Sequence, residues 1–145
     1  MIAESFGATV HASAVLVGAR AVLIRGPSGA GKSRLAWELI EAGRTAAAGF
    51  ARLVGDDRVH LQVAGGRLLV RPSGTLAGRI ELRGVGIVRR DHEACAVVGL
   101  VIDLAAADAE RLPLEGKAVV KGVTLPRLAV APGIAPLPLV LAMVT

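Results

Sequence analysis

Gly26-Pro27-Ser28-Gly29-Ala30-Gly31-Lys32-Ser33 fits the phosphate-binding loop pattern G-x-x-x-x-G-K-[ST], and its flanks decide which fold it belongs to. Ahead of it runs Ala21-Val22-Leu23-Ile24, short, apolar and β-branched in character. Behind it, Arg34-Leu35-Ala36-Trp37-Glu38-Leu39-Ile40-Glu41 places apolar residues at 35, 36, 39 and 40, along one face of a helix. The reading is strand, glycine loop, helix, and the fold class is α/β.

Residue types give the loop its chemistry. Glycines at 26, 29 and 31 let the backbone turn sharply, so that successive N–H groups face one concavity at the positive end of a helix, where phosphate oxygens are stabilised. Lys32 then reaches the β- and γ-phosphates, and the Ser33 hydroxyl ligates Mg²⁺. The expected nucleotide site comprises Gly26, Pro27, Ser28, Gly29, Ala30, Gly31, Lys32, Ser33 and the first helical residue beyond them, Arg34, with ATP and Mg²⁺ as cofactors.

Composition excludes several function classes. The 145 residues leave room for one core, and 53% hydrophobic content fills it, so a single domain over 1–145 is expected. Trp37, Phe6 and Phe50 are the aromatic residues, too few to form the stacking platforms that bind single-stranded nucleic acid. The net charge of +5 comes from 17 scattered basic residues, with Arg89-Arg90 the sole adjacent pair. That pattern suits an anionic nucleotide or an acidic partner better than a nucleic acid. Cys95 is the single cysteine and forms no disulfide within the chain. No run of 18 apolar residues and no basic N-terminal region followed by an apolar stretch appears, so no membrane association is expected and the location expected is the cytoplasm.

Short elements with frequent punctuation surround the loop. Ala14-Val15-Leu16-Val17 and Ala21-Val22-Leu23-Ile24, joined around Gly18-Ala19-Arg20, read as antiparallel neighbours. Thr45 to Ala51 reads as a loop, and Leu53-Val54 leads into Gly55-Asp56-Asp57. Val59-His60-Leu61-Gln62-Val63 and Arg67-Leu68-Leu69-Val70 flank Ala64-Gly65-Gly66 as a hairpin. Strands are also expected at Ile80-Glu81-Leu82 and at Val97 to Leu104, the latter apolar enough for the middle of a sheet. Val119 to Val130 carries turn residues inside it, and Pro136 to Val144 reads as a terminal helix. Hairpins beside a phosphate loop require a mixed sheet, unlike the parallel sheet of ordinary nucleotide kinases.

Further polar residues narrow the family. His11 stands 21 residues before Lys32, Gly55-Asp56-Asp57-Arg58-Val59 follows the loop helix, and Glu81-Leu82-Arg83-Gly84-Val85-Gly86-Ile87 comes later. Together with the loop they resemble the catalytic domain of bacterial HPr kinase/phosphorylase, over nearly the whole chain from His11 onward. The resemblance implies a P-loop domain with a mixed, partly antiparallel sheet, similar to phosphoenolpyruvate carboxykinase. It also implies ATP- and Mg²⁺-dependent phosphorylation of a seryl residue of the phosphocarrier protein HPr, in phosphotransferase-system regulation, by a homo-oligomer of the hexameric kind.

Carried over by residue, the resemblance makes Lys32 and Ser33 the phosphate and metal ligands, Glu81 a further Mg²⁺ ligand, and His11 an active-site group near the transferred phosphoryl. Asp56 and Asp57 supply a general base and a metal-side carboxylate. The sequence does not divide these tasks; we read Asp56 as the base and Asp57 as the metal-side acid. Arg111, in Glu110-Arg111-Leu112, resembles an active-site arginine that stabilises transition-state charge.

Departures from the family pattern shape the expectation. Met1 lies only ten residues before His11, which reads as a minimal form without the N-terminal domain of full-length members. A longer segment usually follows Gly86-Ile87, whereas here Val88-Arg89-Arg90-Asp91-His92 passes almost directly to the next strand. The family's Pro-Gly-Arg, tied to dephosphorylation, stands here as Pro132-Gly133-Ile134, so the phosphorylase activity is doubted. Two other readings compete. Val97-Val98-Gly99-Leu100-Val101-Ile102-Asp103 has the form of a Mg²⁺-coordinating Walker-B strand, which would make the chain a generic small-molecule kinase or NTPase. A nucleotide-binding sensor without turnover is the third, and a candidate base beside complete phosphate ligands argues against it.

Overall fold

Strand β3 (Arg20–Arg25) is apolar at every interior position because both of its faces are covered. Alternation sends Ala21 and Leu23 to one side and Val22 and Ile24 to the other, into two separate clusters of buried side chains. The computed structural model describes residues 7–45, 49–109 and 116–144. After β1 (Val10–His11), β2 (Ser13–Val17) pairs antiparallel with β3, as the turn at Gly18 requires. Helix α1 (Lys32–Arg44) follows the glycine loop, and β4 (Ala51–Gly55) pairs with the free edge of β2.

A hairpin of β5 (Arg58–Ala64) and β6 (Arg67–Pro72) comes next, then a second hairpin of β7 (Arg79–Leu82) and β8 (Gly86–Arg89). The eight residues of β9 (Ala96–Asp103) run parallel to β3. On its other flank β9 pairs with β6 near its start and with β11 (Val123–Ala129) near its end. The sheet therefore forks and curls at β9, with β10 (Lys117–Val120) added antiparallel to β11 and β1 added to β5. Helix α2 (Pro136–Val144) closes the chain on the side of α1.

The result is a mixed α/β fold with a curled sheet. Leu35 and Leu39 of α1 are fully buried against Val22, Ile24 and Leu53. Each contributes roughly 1.5–3 kcal/mol relative to exposure, which fixes the helix, and with it the loop, to the ends of the central strands. The β2–β3 and β5–β6 pairings, the central β9 and the terminal helix match the sequence reading. Two local features depart from it. The stretch taken as a loop ends at Ala51, which already opens β4, and Gly86–Arg89 forms a strand where a passage to the next one is expected. β8 escapes the pattern because its Ile87 is exposed, its Val88 is only half-buried, and Gly84 and Gly86 flank the exposed Val85 of its turn.

Candidate active site

Antiparallel β2 begins where β3 and β4 end, so three chain segments converge at one rim of the sheet. From β3 comes the loop. Gly26 is pressed against Leu104 and Ala30, where an added Cβ would lie 3.1 Å from the Leu104 Cβ and 3.3 Å from that of Ala30. Gly31, at φ +97°, takes the left-handed conformation that starts α1. No side chain caps this helix, and its first turn carries no acidic residue, so its leading N–H groups and positive end face the loop's concavity. Lys32 Nζ donates to the carbonyls of Gly26 at 2.8 Å and Pro27 at 3.2 Å, folded back within the loop. Arg34 points outward, 3.9 Å from Glu38 and largely exposed.

From β4 comes Asp56, only 3% exposed. Its carboxylate accepts the Ser33 hydroxyl at 2.9 Å from either oxygen, the Ser13 hydroxyl at 2.6 Å, and the Glu81 N–H at 3.3 Å. All of these donors are uncharged. Asp57 turns the other way. It has φ +68°, and Arg58 N–H donates across it to the Asp56 carbonyl at 2.8 Å, closing a rare and strained three-residue turn. The turn puts the Asp57 side chain in the open, 62% exposed, with His11 Nδ1 at 3.9 Å from its Oδ1.

The arrangement fits a magnesium ion by the chemistry of its donors. Mg²⁺ is bound by one or two protein oxygens together with substrate phosphates and water rather than by an all-protein cage. Ser33 Oγ and the Asp56 carboxylate supply such a pair beside the loop. Among the described residues no three His, Cys, Asp or Glu side chains gather into a cage of their own. The exposed Glu81 lies on β7, and what joins it to this cluster is its backbone N–H.

The family model described as the HPr Serine kinase C-terminal domain matches residues 4–128. The chain belongs to that family. Similar curated proteins include the HPr kinase/phosphorylase of Clostridium beijerinckii, 39% identical over 79 residues, and that of Streptococcus thermophilus, 41% identical over 81 residues. The matched stretches cover 54% and 55% of this chain but 24% of each relative, so the chain spans about a quarter of the length of the curated relatives it matches. The solved Hpr(Ser) kinase/phosphatase of Coxiella burnetii superposes with a TM-score of 0.74 at 26% identity, covering 94% of this chain and 92% of that one.

Other residues of this HPr kinase family domain fall as follows. Arg111 lies outside the described residues. Ile134, 53% exposed, lines a hollow of about 260 Å³ with Gly29, Ala30, Leu104, Val130 and Pro132, on the flank of the loop. Asp103 ends β9 next to Arg25, and both its oxygens are taken: Arg25 donates through Nε at 2.8 Å and Nη2 at 2.9 Å, and Arg127 through Nε. Arg127 also forks onto Asp108 at 2.8 and 3.0 Å. Burial opposes the charge on Asp103, but the hydrogen bonds from Arg25 and Arg127 outweigh it and hold the carboxyl below its ordinary value. Ser13 belongs to the cluster too, fully buried, and sequence reasoning passed over it. The available signal is a polar residue opening an otherwise apolar strand, Ser13-Ala14-Val15-Leu16-Val17.

Proposed function

We propose that this domain is the catalytic unit of an ATP- and Mg²⁺-dependent protein kinase that phosphorylates a seryl side chain of an HPr-like phosphocarrier protein. The observation that carries the reading is the 2.9 Å contact between Ser33 and Asp56 at the start of α1, with the exposed Asp57 next in the chain. In this reading the Gly26–Ser33 segment is a P-loop, within a curled mixed sheet of the phosphoenolpyruvate carboxykinase kind. The loop amides and Lys32 hold the β- and γ-phosphates, and Ser33 and Asp56 hold the metal. Bound Mg²⁺ neutralises charge on the phosphates.

The geometry argues for dividing the acid roles opposite to the sequence reading. Asp56 is buried, oriented by hydroxyls and tied to the loop serine, as a metal-side carboxylate must be. Asp57 is open to an incoming side chain, as a base must be. Asp57 accepts the seryl proton as the seryl oxygen attacks the γ-phosphorus and ADP leaves, while His11 flanks the carboxylate. Glu81 and Arg111 remain proposed contributors, as metal ligand and charge stabiliser.

The proposal covers the forward direction. Reversal requires free phosphate to be bound as nucleophile, and the aliphatic Ile134 offers it no charge. A homo-oligomeric, cytoplasmic kinase is part of the same reading, and among the described residues no helix is long and apolar enough to cross a membrane. The Walker-B reading of Asp103 is weaker, because Arg25 and Arg127 already occupy that carboxylate. The test is phosphate transfer from labelled ATP with Mg²⁺ to purified HPr, with mass spectrometry locating a phosphoserine. Lys32→Ala is expected to remove transfer while the protein stays folded. Label on HPr undiminished by that change, or hydrolysis of ATP with no label on any HPr, would overturn the proposal.

A further inference from the structure

Ser13 is fully buried, yet it is polar and sits at the head of β2, between the end of β3 that feeds the loop and the end of β4 that carries the two acids. A buried hydroxyl costs stability unless it is hydrogen-bonded, and this one uses both of its capacities. It donates its proton to Asp56 Oδ1 at 2.6 Å, the shortest contact that carboxylate makes. It accepts the Asp57 N–H at 3.3 Å. One oxygen atom thus grips the side chain of one acid and the backbone of the next. Ala12 N–H donates to the Asp57 carbonyl at 3.2 Å, so the strained turn is held from both of its peptide groups by consecutive residues of this segment.

We propose that Ser13 is a positioning residue of the phosphoryl-transfer site, fixing the orientation of the Asp56 carboxylate and the turn that presents Asp57. The inference rests on the functional reading above. Ser33 also touches Asp56, but its oxygen serves the metal in that reading. Ser13 has no exposed surface and therefore acts only through the acids. Hydrogen-bond partners of metal-binding groups typically change affinity or activity by about 10- to 100-fold when removed. Neutral-donor support of this kind also leaves the negative charge of Asp56 available to a cation.

Ser13→Ala tests the proposal, since alanine already occupies both neighbouring positions and adds no bulk. The expected result is a roughly 10- to 100-fold lower kcat for transfer to HPr, with the KM for ATP changed less than about threefold. Mn²⁺ binding in the presence of ADP, followed by the electron paramagnetic resonance of free Mn²⁺, is expected to weaken about tenfold. Ser13→Cys keeps the volume and a weak donor and serves as the second variant, expected to fall between alanine and serine. Wild-type kcat and Mn²⁺ affinity in a folded Ser13→Ala protein would overturn the proposal. So would loss of folding in both variants, which would make the residue purely structural. Asp56→Asn separates the two levels: if it leaves transfer intact the functional reading itself fails, whereas if it abolishes transfer and Ser13→Ala does not, only the role of Ser13 fails.

Discussion

Two aspartates stand at the carboxyl ends of strands in one sheet, on opposite sides of β3, the strand that feeds the loop: Asp103 at the end of the adjacent β9, and Asp56 after β4, with β2 between it and β3. Their surroundings are opposite. Asp56 is held by two hydroxyls and an amide N–H, whereas Asp103 is held by two guanidinium groups. Neutral donors orient a carboxylate and leave its charge to act on something else. Guanidinium groups cancel that charge and weld the carboxylate into the frame. A strand ending in an acid is therefore a poor pointer to a metal site until its partners are known.

The largest expected effect breaks the comparison at its functional side. Asp56→Asn and Asp57→Asn should each lower phosphoryl transfer about 10²- to 10⁴-fold, while Asp103→Asn should leave the rate of the folded protein within about threefold. The two site variants should also differ from each other. With ADP present, Asp57→Asn should keep Mn²⁺ affinity near wild type and Asp56→Asn should lose it. An active Asp56→Asn protein alongside an inactive but folded Asp103→Asn protein would instead favour the generic NTPase.

Much of this arrangement was legible beforehand, and the reason is local. The glycine loop, the flanking apolar periodicities and the hairpin around Gly65-Gly66 are set by residues close in sequence. The division of labour between Asp56 and Asp57 is not, because it depends on a shift of register in the pairing of β2 with β4 and on the positive φ of Asp57. Ser13 meets Asp56 across 43 residues, and Asp103 meets Arg25 across 78. Such partners are chosen by topology. The same apolar strand ending in aspartate that reads as a metal ligand turns out, once β3 and β11 are placed beside it, to end between two arginines.

At the structural side of the comparison the effects are smaller and appear in stability. Asp103→Asn keeps the shape of the side chain but takes the paired charge from Arg25, 38% exposed, and leaves Arg127, 21% exposed, with Asp108 as its acidic partner. Full burial would make the loss about 3–5 kcal/mol; partial exposure reduces it to roughly 1–2 kcal/mol. For a domain of this size that corresponds to a fall in Tm of several degrees. Thermal unfolding measures it directly, and an unchanged Tm would show that the network is decoration on the surface.

Acid should expose the same contrast without any mutation, though by a smaller amount. The carboxyl of Asp103 has its pKa lowered in the folded state, burial opposing its charge and the hydrogen bonds from Arg25 and Arg127 prevailing. A depressed folded-state value means that the unfolded chain takes up the proton first as pH falls. The stability from Asp103 is therefore complete well above 3.8, its ordinary value, and is lost progressively as pH drops below that toward the folded-state value. Asp108, lowered by its hydrogen bond from Arg127, acts in the same direction but is far more exposed, so its share is minor. Urea unfolding at pH 5 and pH 3 should show the wild-type protein losing more stability on acidification than Asp103→Asn, which has no proton to take up at that position. Parallel losses in the two proteins would mean that Asp103 is bound to its arginines too weakly to matter, and the carboxylate would then be open to the cation that the comparison denies it.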